Sequence, residues 1–269
     1  MILNRHLLQT LPLICASASL SFADKDPVVL RVAAYNVEFS KSATPELIGA
    51  MFKPFKLDVI GFNEAPEGDW TRRVGRVLGM RHSYVGKVSS ANHKDKYKTI
   101  LSRFPLEETG EISLKGIGWN PASAVKAVIR KDRIPITFYS LHICGSKEDE
   151  GHAHYLATAV LPKENSERVI VAGDFNNRIG DASLNFIERA GMRSTWEDLK
   201  TDLSKQFTYN AFVPRKKVGV IDHIFYKTSS GAKVTDGEII ELKKPLSDHK
   251  PIWAEIAFPR EVKADRLGD

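Results

Sequence analysis

The stretch Val169-Ile170-Val171-Ala172-Gly173-Asp174-Phe175-Asn176-Asn177 joins a short β-branched run to an abrupt polar end. Such a run is typical of a buried strand. It therefore predicts a strand that delivers Asp174, Asn176 and Asn177 to its carboxyl end, where α/β sheets commonly place their binding groups. Asp, Asn and Gly also form simple turns through local side-chain hydrogen bonds, so a turn without a catalytic role explains this stretch equally well on its own.

The sequence has the composition of a soluble globular protein, since 42% of its 269 residues are hydrophobic and 27% are charged. Its beginning differs, with Arg5, an apolar run over residues 7–16 and the triplet Ser21-Phe22-Ala23. This pattern predicts a signal peptide over residues 1–23 and one mature domain over residues 24–269, secreted or periplasmic. The alternative is a buried N-terminal helix. The apolar run is too short to span a bilayer and no longer run follows, so we expect no stable membrane insertion.

The cysteine content indicates how the fold is stabilised, and the net charge indicates what it can bind. Removal of the predicted leader takes Cys15 with it and leaves Cys144 without an intramolecular disulfide partner, so core burial has to carry stability. The formal net charge of +6 suits a polyanion such as nucleic acid or anionic lipid, although it is also ordinary for solubility. We expect a monomer. The basic residues form four clusters: Arg72, Arg73 and Arg76; Lys94, Lys96 and Lys98; Arg130, Lys131 and Arg133; and Arg215, Lys216 and Lys217.

Hydrophobic periodicity and turn residues predict an alternation of strands and helices. Strands are predicted over residues 28–37, 57–64, 83–88, 97–103, 122–130, 134–142, 218–226, 233–241 and 251–258, besides the strand that precedes Asp174. Helices are predicted over residues 44–55, 69–80, 148–164 and 182–190. The mixture of alternating and hairpin-like strands favours mixed sheets with outer helices in one domain.

Six of the predicted strands have polar side chains at one end, and these side chains are the candidate site residues. They are Asn36, Glu64, His142, Asp174 with Asn176, Asp222 with His223, and Asp248 with His249. If the strands lie side by side, these groups converge into one cleft of carboxylates, amides and imidazoles. Side chains alternate along a strand, so His223 should point away from Asp222. His152 and His154 lie on a predicted surface helix, where two residues of that spacing cannot chelate together.

Seven short motifs, in order, resemble those of the endonuclease/exonuclease/phosphatase superfamily of metal-dependent phosphoesterases. They are Tyr35-Asn36-Val37, Asn63-Glu64, Ile100-Leu101-Ser102-Arg103-Phe104-Pro105, Leu141-His142, Gly173-Asp174-Phe175-Asn176, Ile221-Asp222-His223 and Ser247-Asp248-His249. The resemblance covers nearly all of the predicted mature chain. It implies an α/β four-layer sandwich, in which two mixed β-sheets pack face to face with helices on the outside.

The same resemblance implies a metal site and identifies its ligands. Glu64 would be the central ligand, with Asn36 and Asp248 nearby, and such hard oxygen donors favour Mg²⁺ or Mn²⁺. The family usually has Gln before this Glu, whereas here Asn63 is one methylene shorter. That difference puts the usual contact of the amide in doubt, but not the carboxylate.

The remaining roles also follow from the resemblance. Asp174 and Asn176 would orient the attacking water, while His249 would be oriented by Asp222 as a base or phosphate donor. His142 would be the second imidazole, and which of the two transfers a proton stays open. Tyr97 and Lys98 occupy a region where family members often contact the substrate.

The resemblance implies hydrolysis of phosphodiester bonds, and we expect DNA or RNA as the substrate. The export signal and basic charge are equally compatible with a lipid substrate, but the sequence has no aromatic-rich hairpin or amphipathic stretch that resembles a membrane-docking element. Three alternatives remain at the level of sequence: a phospholipid or sphingomyelin phosphodiesterase, a phosphomonoesterase, and a polyanion-binding module that has lost catalysis.

Overall fold

The computed structural model describes residues 26–146, 151–214 and 219–261. The predicted signal peptide over residues 1–23 and the basic cluster of Arg215, Lys216 and Lys217 lie outside these ranges. So do the first residues of the helix predicted over 148–164 and of the strand predicted over 218–226. Among the described residues, no helix is both long enough and apolar enough to cross a bilayer.

The described residues form twelve strands and five α-helices. In chain order these are β1 (Val28–Asn36), α1 (Pro45–Phe52), β2 (Val59–Ala65), α2 (Trp70–Leu78), β3 (His82–Val85), β4 (Tyr97–Ser102), β5 (Leu106–Leu114), β6 (Ala122–Lys131), β7 (Ile134–His142), α3 (His152–Tyr155), β8 (Val169–Asp174), α4 (Ala182–Arg189), β9 (Met192–Ser194), α5 (Thr195–Asp198), β10 (Asp222–Lys227), β11 (Lys233–Ile239) and β12 (Ile252–Phe258).

The strands form two six-stranded mixed sheets, as predicted. The first has the order β11-β12-β1-β2-β4-β3 and the second the order β5-β6-β7-β8-β10-β9. Each contains one parallel pair, β1 with β2 and β7 with β8, flanked by an antiparallel strand, β12 or β10. The carboxyl ends of a parallel pair and the start of its antiparallel neighbour lie at the same edge of the sheet. This topology brings the six polar strand ends to one end of the molecule.

Alternation along the strands produces three apolar layers. On β1, Val32 and Ala34 pack between the two sheets, whereas Ala33 and Tyr35 face α1 and α2. A third cluster lies beneath α3 and α4, on the outer face of the second sheet. A residue such as Phe138, fully buried between the sheets, contributes about 1.5–3 kcal/mol relative to an exposed position. The four-layer α/β sandwich is therefore confirmed.

Some elements differ from the sequence prediction. The edge strand β5 was not predicted, because Leu-Glu-Glu-Thr-Gly-Glu-Ile-Ser-Leu has few apolar residues and a register shift between Glu107 and Gly110. The short β9 and α5 were not predicted either. The helix predicted over 148–164 is α3 followed by a π-helical turn, Leu156–Val160, and a 3₁₀ turn, Leu161–Lys163. Pro162 lacks a backbone N–H, so the α-helical pattern cannot continue through it.

Candidate active site

Asp174 lies at the centre of the polar end of the sandwich. Strand β8 carries it directly opposite His142 of β7 and Asp222 of β10. The preceding Gly173 has a φ of 146°, and a Cβ at this position would clash with the Leu141 carbonyl oxygen. Glycine thus permits the close approach of β8 to β7 that sets the position of Asp174.

Asn36 and Asn63 hold Asp174 from the facing sheet. The Asn36 Nδ2 donates a hydrogen bond of 3.0 Å to Asp174 Oδ2. The Asn63 Oδ1 accepts from the Asp174 backbone N–H at 3.1 Å, and its Nδ2 donates to the Leu141 carbonyl oxygen at 2.7 Å. The shorter amide at position 63 therefore makes contacts that join β2 to both β7 and β8.

The surroundings of Asp174 favour the protonated carboxyl group. Burial raises its pKa to about 7, and the nearby Asp222 carboxylate acts in the same direction. The positive charge of His249 and the hydrogen bonds from Asn36 and the Asn176 backbone N–H oppose this rise. A carboxyl group of this kind can hold or release a proton near neutral pH.

His249 forms a charge-assisted pair with Asp222. Its Nδ1 is 2.8 Å from Asp222 Oδ2, which leaves Nε2 facing Asp174 Oδ2 at 3.6 Å. Burial disfavours the imidazolium, but the Asp222 and Asp174 carboxylates outweigh it and raise the His249 pKa to about 10. The Tyr209 ring covers the imidazole at a centroid distance of 5.0 Å. His249 is therefore a proton-bearing donor at neutral pH.

His142 has the opposite character. Its Nε2 lies 3.5 Å from Asp174 Oδ2 and 3.8 Å from Glu64 Oε1. Burial lowers its pKa well below the ordinary value, and the positive charges of Lys98 and His249 lower it further. Its Nδ1 is buried and has no hydrogen-bond partner among the described residues. The two imidazoles beside Asp174 thus carry different charges, one neutral and one positive.

Glu64 reaches the cleft through an irregularity in β2. The β2–β4 register shifts between Phe62 and Ala65, and Glu64 has a left-handed φ of 50°. Such a bulge re-aims a side chain out of the regular alternation. Its Oε2 is 2.9 Å from the Lys96 Nζ.

The acidic groups in the cleft fit a divalent cation. Glu38, Glu64, Asp174 and Asp248 line it together. Burial raises the pKa of Asp248, and the Glu38 and Glu64 carboxylates add to that rise despite the opposing charge of His249. The Glu38 Oε2 is buried without a hydrogen-bond partner among the described residues. Oxygen donors gathered in this way are the ligands that Mg²⁺ and Mn²⁺ prefer.

Asp174, Asp222 and His249 form a second group that could hold a metal ion, since one ligand atom from each lies within 4.8 Å of the others. The hydrogen bond between His249 Nδ1 and Asp222 Oδ2 uses two of the atoms that face each other in this group. The cleft-wall carboxylates of Glu38, Glu64 and Asp248 take no part in that hydrogen bond, and Glu64 is paired with Lys96 instead. Asp174 belongs to both arrangements.

Six of the predicted site residues line one cleft of about 420 Å³: Glu64, His142, Asp174, Asn176, Asp248 and His249. Asn36 and Asp222 are buried and contact the cleft residues Asp174 and His249, respectively. His223 points the other way, as predicted, and its Nε2 lies 2.8 Å from the Asn177 carbonyl oxygen.

The structure does not bring Tyr97 or Lys98 to the cleft wall. Lys98 is fully buried, and its Nζ donates to the Val88 carbonyl oxygen at 2.6 Å and to Ser90 Oγ at 3.3 Å. Burial lowers its pKa to about 8. Lys96 is the lysine that reaches the cleft, because it precedes β4 and lies in the loop between β3 and β4, whereas Lys98 lies within the strand. The expected substrate contact at Lys98 is replaced by a contact within the protein.

The prediction that His152 is a surface residue was wrong. Its side chain is fully buried, and Nδ1 accepts from the Cys144 backbone N–H at 3.2 Å. Nε2 lies 3.2 Å from Asn120 Oδ1, and the ring is 5.8 Å from that of Trp119. Trp119 in turn packs against His142 at 4.9 Å. His152 therefore supports a wall of the cleft.

Several cleft residues were not identified from the sequence as site residues: Glu38, Phe39, Lys96, Trp119 and Tyr209. Glu38 and Phe39 directly follow the Tyr35-Asn36-Val37 motif, so their proximity to it was a usable signal. The others lie on loops that fold back beside cleft residues distant from them in sequence. No local pattern indicates where such loops fold back.

The chain belongs to the Endonuclease/Exonuclease/phosphatase family, whose pattern matches residues 33–249. With its buried Asp174, Asp222 and His249 group, it is a phosphoesterase of that family. No curated protein sequence matched the chain significantly.

Solved structures of the same fold include proteins with different activities. An endonuclease/exonuclease/phosphatase family protein from Bacteroides thetaiotaomicron has 21% identity and a TM-score of 0.70, covering 91% of this chain and 100% of its own. D. rerio TDP2 complexed with single strand DNA product has 17% identity and a TM-score of 0.64, with coverages of 85% and 98%. A Bacteroides thetaiotaomicron VPI-5482 mannosyl-6-phosphatase has 22% identity and a TM-score of 0.64, with coverages of 85% and 100%. At these identities the likeness establishes the fold.

Proposed function

We propose that this protein is an exported, Mg²⁺- or Mn²⁺-dependent phosphodiesterase that hydrolyses DNA or RNA. One observation carries the chemistry: the buried Asp174 carboxyl group lies between a neutral and a positive imidazole, with Nε2 distances of 3.5 Å from His142 and 3.6 Å from His249. Attack of water on a phosphodiester needs a proton acceptor, a proton donor and positive charge around the phosphorus. The cleft offers all three.

The residues divide the reaction between them. Asp174 orients the attacking water and accepts its proton while the new oxygen–phosphorus bond forms. His249, held by Asp222, donates to the phosphate and can protonate the leaving oxygen as its bond to phosphorus breaks. Asn176 and the neutral His142 supply further contacts to phosphate oxygens. Glu64, Asp248 and Asn36 would hold the cation, which when bound would neutralise charge developing on the phosphate.

Nucleic acid is the substrate class that the cleft walls favour. Phe39, Trp119 and Tyr209 line the cleft and offer faces on which unpaired bases can stack. Lys96 adds positive charge in the same cleft. D. rerio TDP2, which shares the fold, is the neighbour complexed with single strand DNA product.

The wider basic clusters contribute less to this proposal. Lys131 pairs with Asp58 at 2.7 Å, near the start of β2 and therefore at the opposite end of the sandwich from Glu64. Arg130 pairs with Glu107 at 2.8 Å. Contacts with the polyanion are accordingly assigned to the cleft loops rather than to these clusters.

A phosphomonoesterase acting on a sugar phosphate is the second candidate, supported by the mannosyl-6-phosphatase of the same fold. Export rests on the signal peptide pattern of residues 1–23, and action as a monomer is part of the same proposal.

Nicking of supercoiled plasmid tests the substrate class. Protein beginning at Asp24 is assayed with Mg²⁺, with chelator, and as the Asp174→Ala variant to exclude a contaminating nuclease. Metal-dependent nicking that the variant lacks supports the nuclease. Metal-dependent release of phosphate from sugar phosphates, or of phosphocholine from lipid, without nicking would keep the chemistry and overturn the substrate.

A further inference from the structure

The ammonium group of Lys96 forms an ion pair with Glu64, the carboxylate proposed above as a ligand of the cation. The Lys96 Nζ lies 2.9 Å from Glu64 Oε2, with side-chain exposures of only 21% and 12%. It also lies 5.6 Å from the centroid of the Phe39 ring, within range of a cation–π contact. The ammonium is therefore held inside the cleft, unlike a typical solvated surface lysine.

The loop between β3 and β4 fixes this position. The Lys96 backbone N–H donates to Ser89 Oγ at 3.0 Å, and the Lys96 carbonyl accepts from the Ser90 N–H at 3.0 Å. The buried ammonium of Lys98 anchors the same loop through the Val88 carbonyl oxygen. Because its backbone is anchored, Lys96 loses less conformational entropy on pairing with Glu64 than a residue of a free loop would.

The charges around Glu64 explain why a cation is needed there. Glu38 and Glu64 both act on the carboxyl group of Asp248, and Asp174 lies on the same cleft wall. Like charges this close repel one another strongly where water is scarce. Lys96 relieves part of this repulsion, and so would a divalent cation. Both would act on the Glu64 carboxylate, which Lys96 reaches through Oε2.

We propose that Lys96 is an internal counter-ion that competes with the divalent cation for Glu64 and turns to the substrate phosphate once the cation holds that carboxylate. This inference rests on the proposed metal-dependent function. Its consequence is reciprocal coupling: metal binding frees the ammonium for a phosphate oxygen, and a bound phosphate keeps the ammonium away from Glu64. Lys96 is thus a positioning residue for the cation and a binding residue for the phosphate.

The competition is tested by titrating the full chain with Mn²⁺ in the absence of substrate. Electron paramagnetic resonance measures how much Mn²⁺ is bound. Lys96→Met keeps a long unbranched side chain and removes the charge. The variant should therefore bind Mn²⁺ more tightly, with a dissociation constant about 10-fold lower than that of the unmodified protein. Lys94→Met is the matched control, because the exposed Lys94 contributes the same charge to the same loop without lining the cleft. Its Mn²⁺ affinity should stay close to that of the unmodified protein. Lys96→Arg retains the positive charge and should bind Mn²⁺ much more weakly than Lys96→Met.

The second half of the proposal is tested with inorganic phosphate at saturating Mn²⁺. Lys96→Met should bind phosphate about 10-fold more weakly, whereas Lys94→Met should not differ from the unmodified protein. An unchanged Mn²⁺ affinity in Lys96→Met, or an equal change in Lys94→Met, overturns the competition. Tighter Mn²⁺ binding with unchanged phosphate binding overturns the role toward phosphate.

Failure of the underlying function gives a different result. If the unmodified protein and Glu64→Gln bind Mn²⁺ equally, Glu64 is not a metal ligand, and the metal assignment falls together with this inference. If urea titration shows that Lys96→Met is poorly folded, Lys96→Gln removes the same charge with a polar side chain. The same results are expected of it.

Discussion

The charge on His249 is the residue-level feature with the clearest consequence for pH dependence. Its pKa of about 10 in the folded protein lies above the ordinary value of 6.5. The folded state therefore binds this proton more tightly than the unfolded state does. The resulting stabilisation is present in full below pH 6.5 and is lost as the pH rises toward 10.

Asp222→Asn should reduce that loss, because it removes the largest charge that favours the imidazolium. We expect the free energy of unfolding of the unmodified protein to fall more between pH 7 and pH 10 than that of the variant, as measured by urea titration in chelator. The contribution of Asp174 to this pH dependence is smaller, because a carboxyl group with a pKa of about 7 has already lost half of its proton at pH 7. Titration of Lys98 is common to both proteins. Parallel pH profiles for the two proteins would contradict the assigned His249–Asp222 pair.

Sequence predicted the position of a side chain well where a polar residue lies at the end of an apolar strand. Asn36, His142 and Asp174 could be predicted to converge because strand alternation and parallel pairing fix where such residues point. Lys96 and Tyr209 could not, since loop conformation depends on contacts between distant segments. For the same reason, the sequence indicated Lys98 where the structure presents Lys96.

At the level of elements, the contact between the two sheets at Asn63 is open to direct test. Asn63→Ala removes the hydrogen bonds to the Leu141 carbonyl oxygen and from the Asp174 N–H, and leaves both partners buried. We expect a loss of about 2–4 kcal/mol in the free energy of unfolding, together with reduced phosphodiesterase activity as Asp174 moves. Urea titration and a rate assay measure the two effects.

Thr71→Val is the matched control for this prediction. It removes a buried hydrogen bond of 3.1 Å to Thr99 Oγ1, between α2 and β4 rather than between the sheets. It should reduce stability without changing the turnover of the folded protein. If Asn63→Ala keeps full activity, then Asn63 does not position Asp174.

The loop between β3 and β4 provides a second test at this scale. Lys98→Met removes the ammonium that holds the Val88 carbonyl oxygen and Ser90 Oγ. Hydrogen exchange over residues 88–96 should become faster, because the loop loses its buried anchor, while exchange in β7 and β8 should change little. Unchanged exchange in the loop would show that its conformation does not depend on Lys98.

At the level of elements, strand β7 was predicted and strand β5 was not, because their apolar patterns differ. Strand β7 was predicted with its observed bounds, Ile134–His142. The edge strand β5 was missed because one of its faces is exposed and polar, so its position comes from pairing with β6 rather than from its own pattern. The fold class was still predicted correctly without β5, since the central parallel pairs already determine both sheets.

For the whole molecule, two sheets bring six strand ends together into the site of a phosphoesterase, and the proposed function makes its activity depend on a divalent cation. The family membership and the fold support the class of chemistry, and the residues assigned above give it a mechanism. That claim does not depend on which natural phosphodiester the loops select. It is best tested with a substrate that needs no specific recognition.

The most direct measurement is therefore the rate of hydrolysis of bis(4-nitrophenyl) phosphate by the purified protein, with Mg²⁺ or Mn²⁺ and with chelator. Asp174→Asn and Asp202→Asn form a matched pair of carboxylate-to-amide variants, since Asp202 is exposed and does not line the cleft. We expect metal-dependent hydrolysis that Asp202→Asn retains and that Asp174→Asn lowers by at least about 100-fold. Hydrolysis that is unaffected by chelator, or that is equal in the two variants, would contradict this expectation.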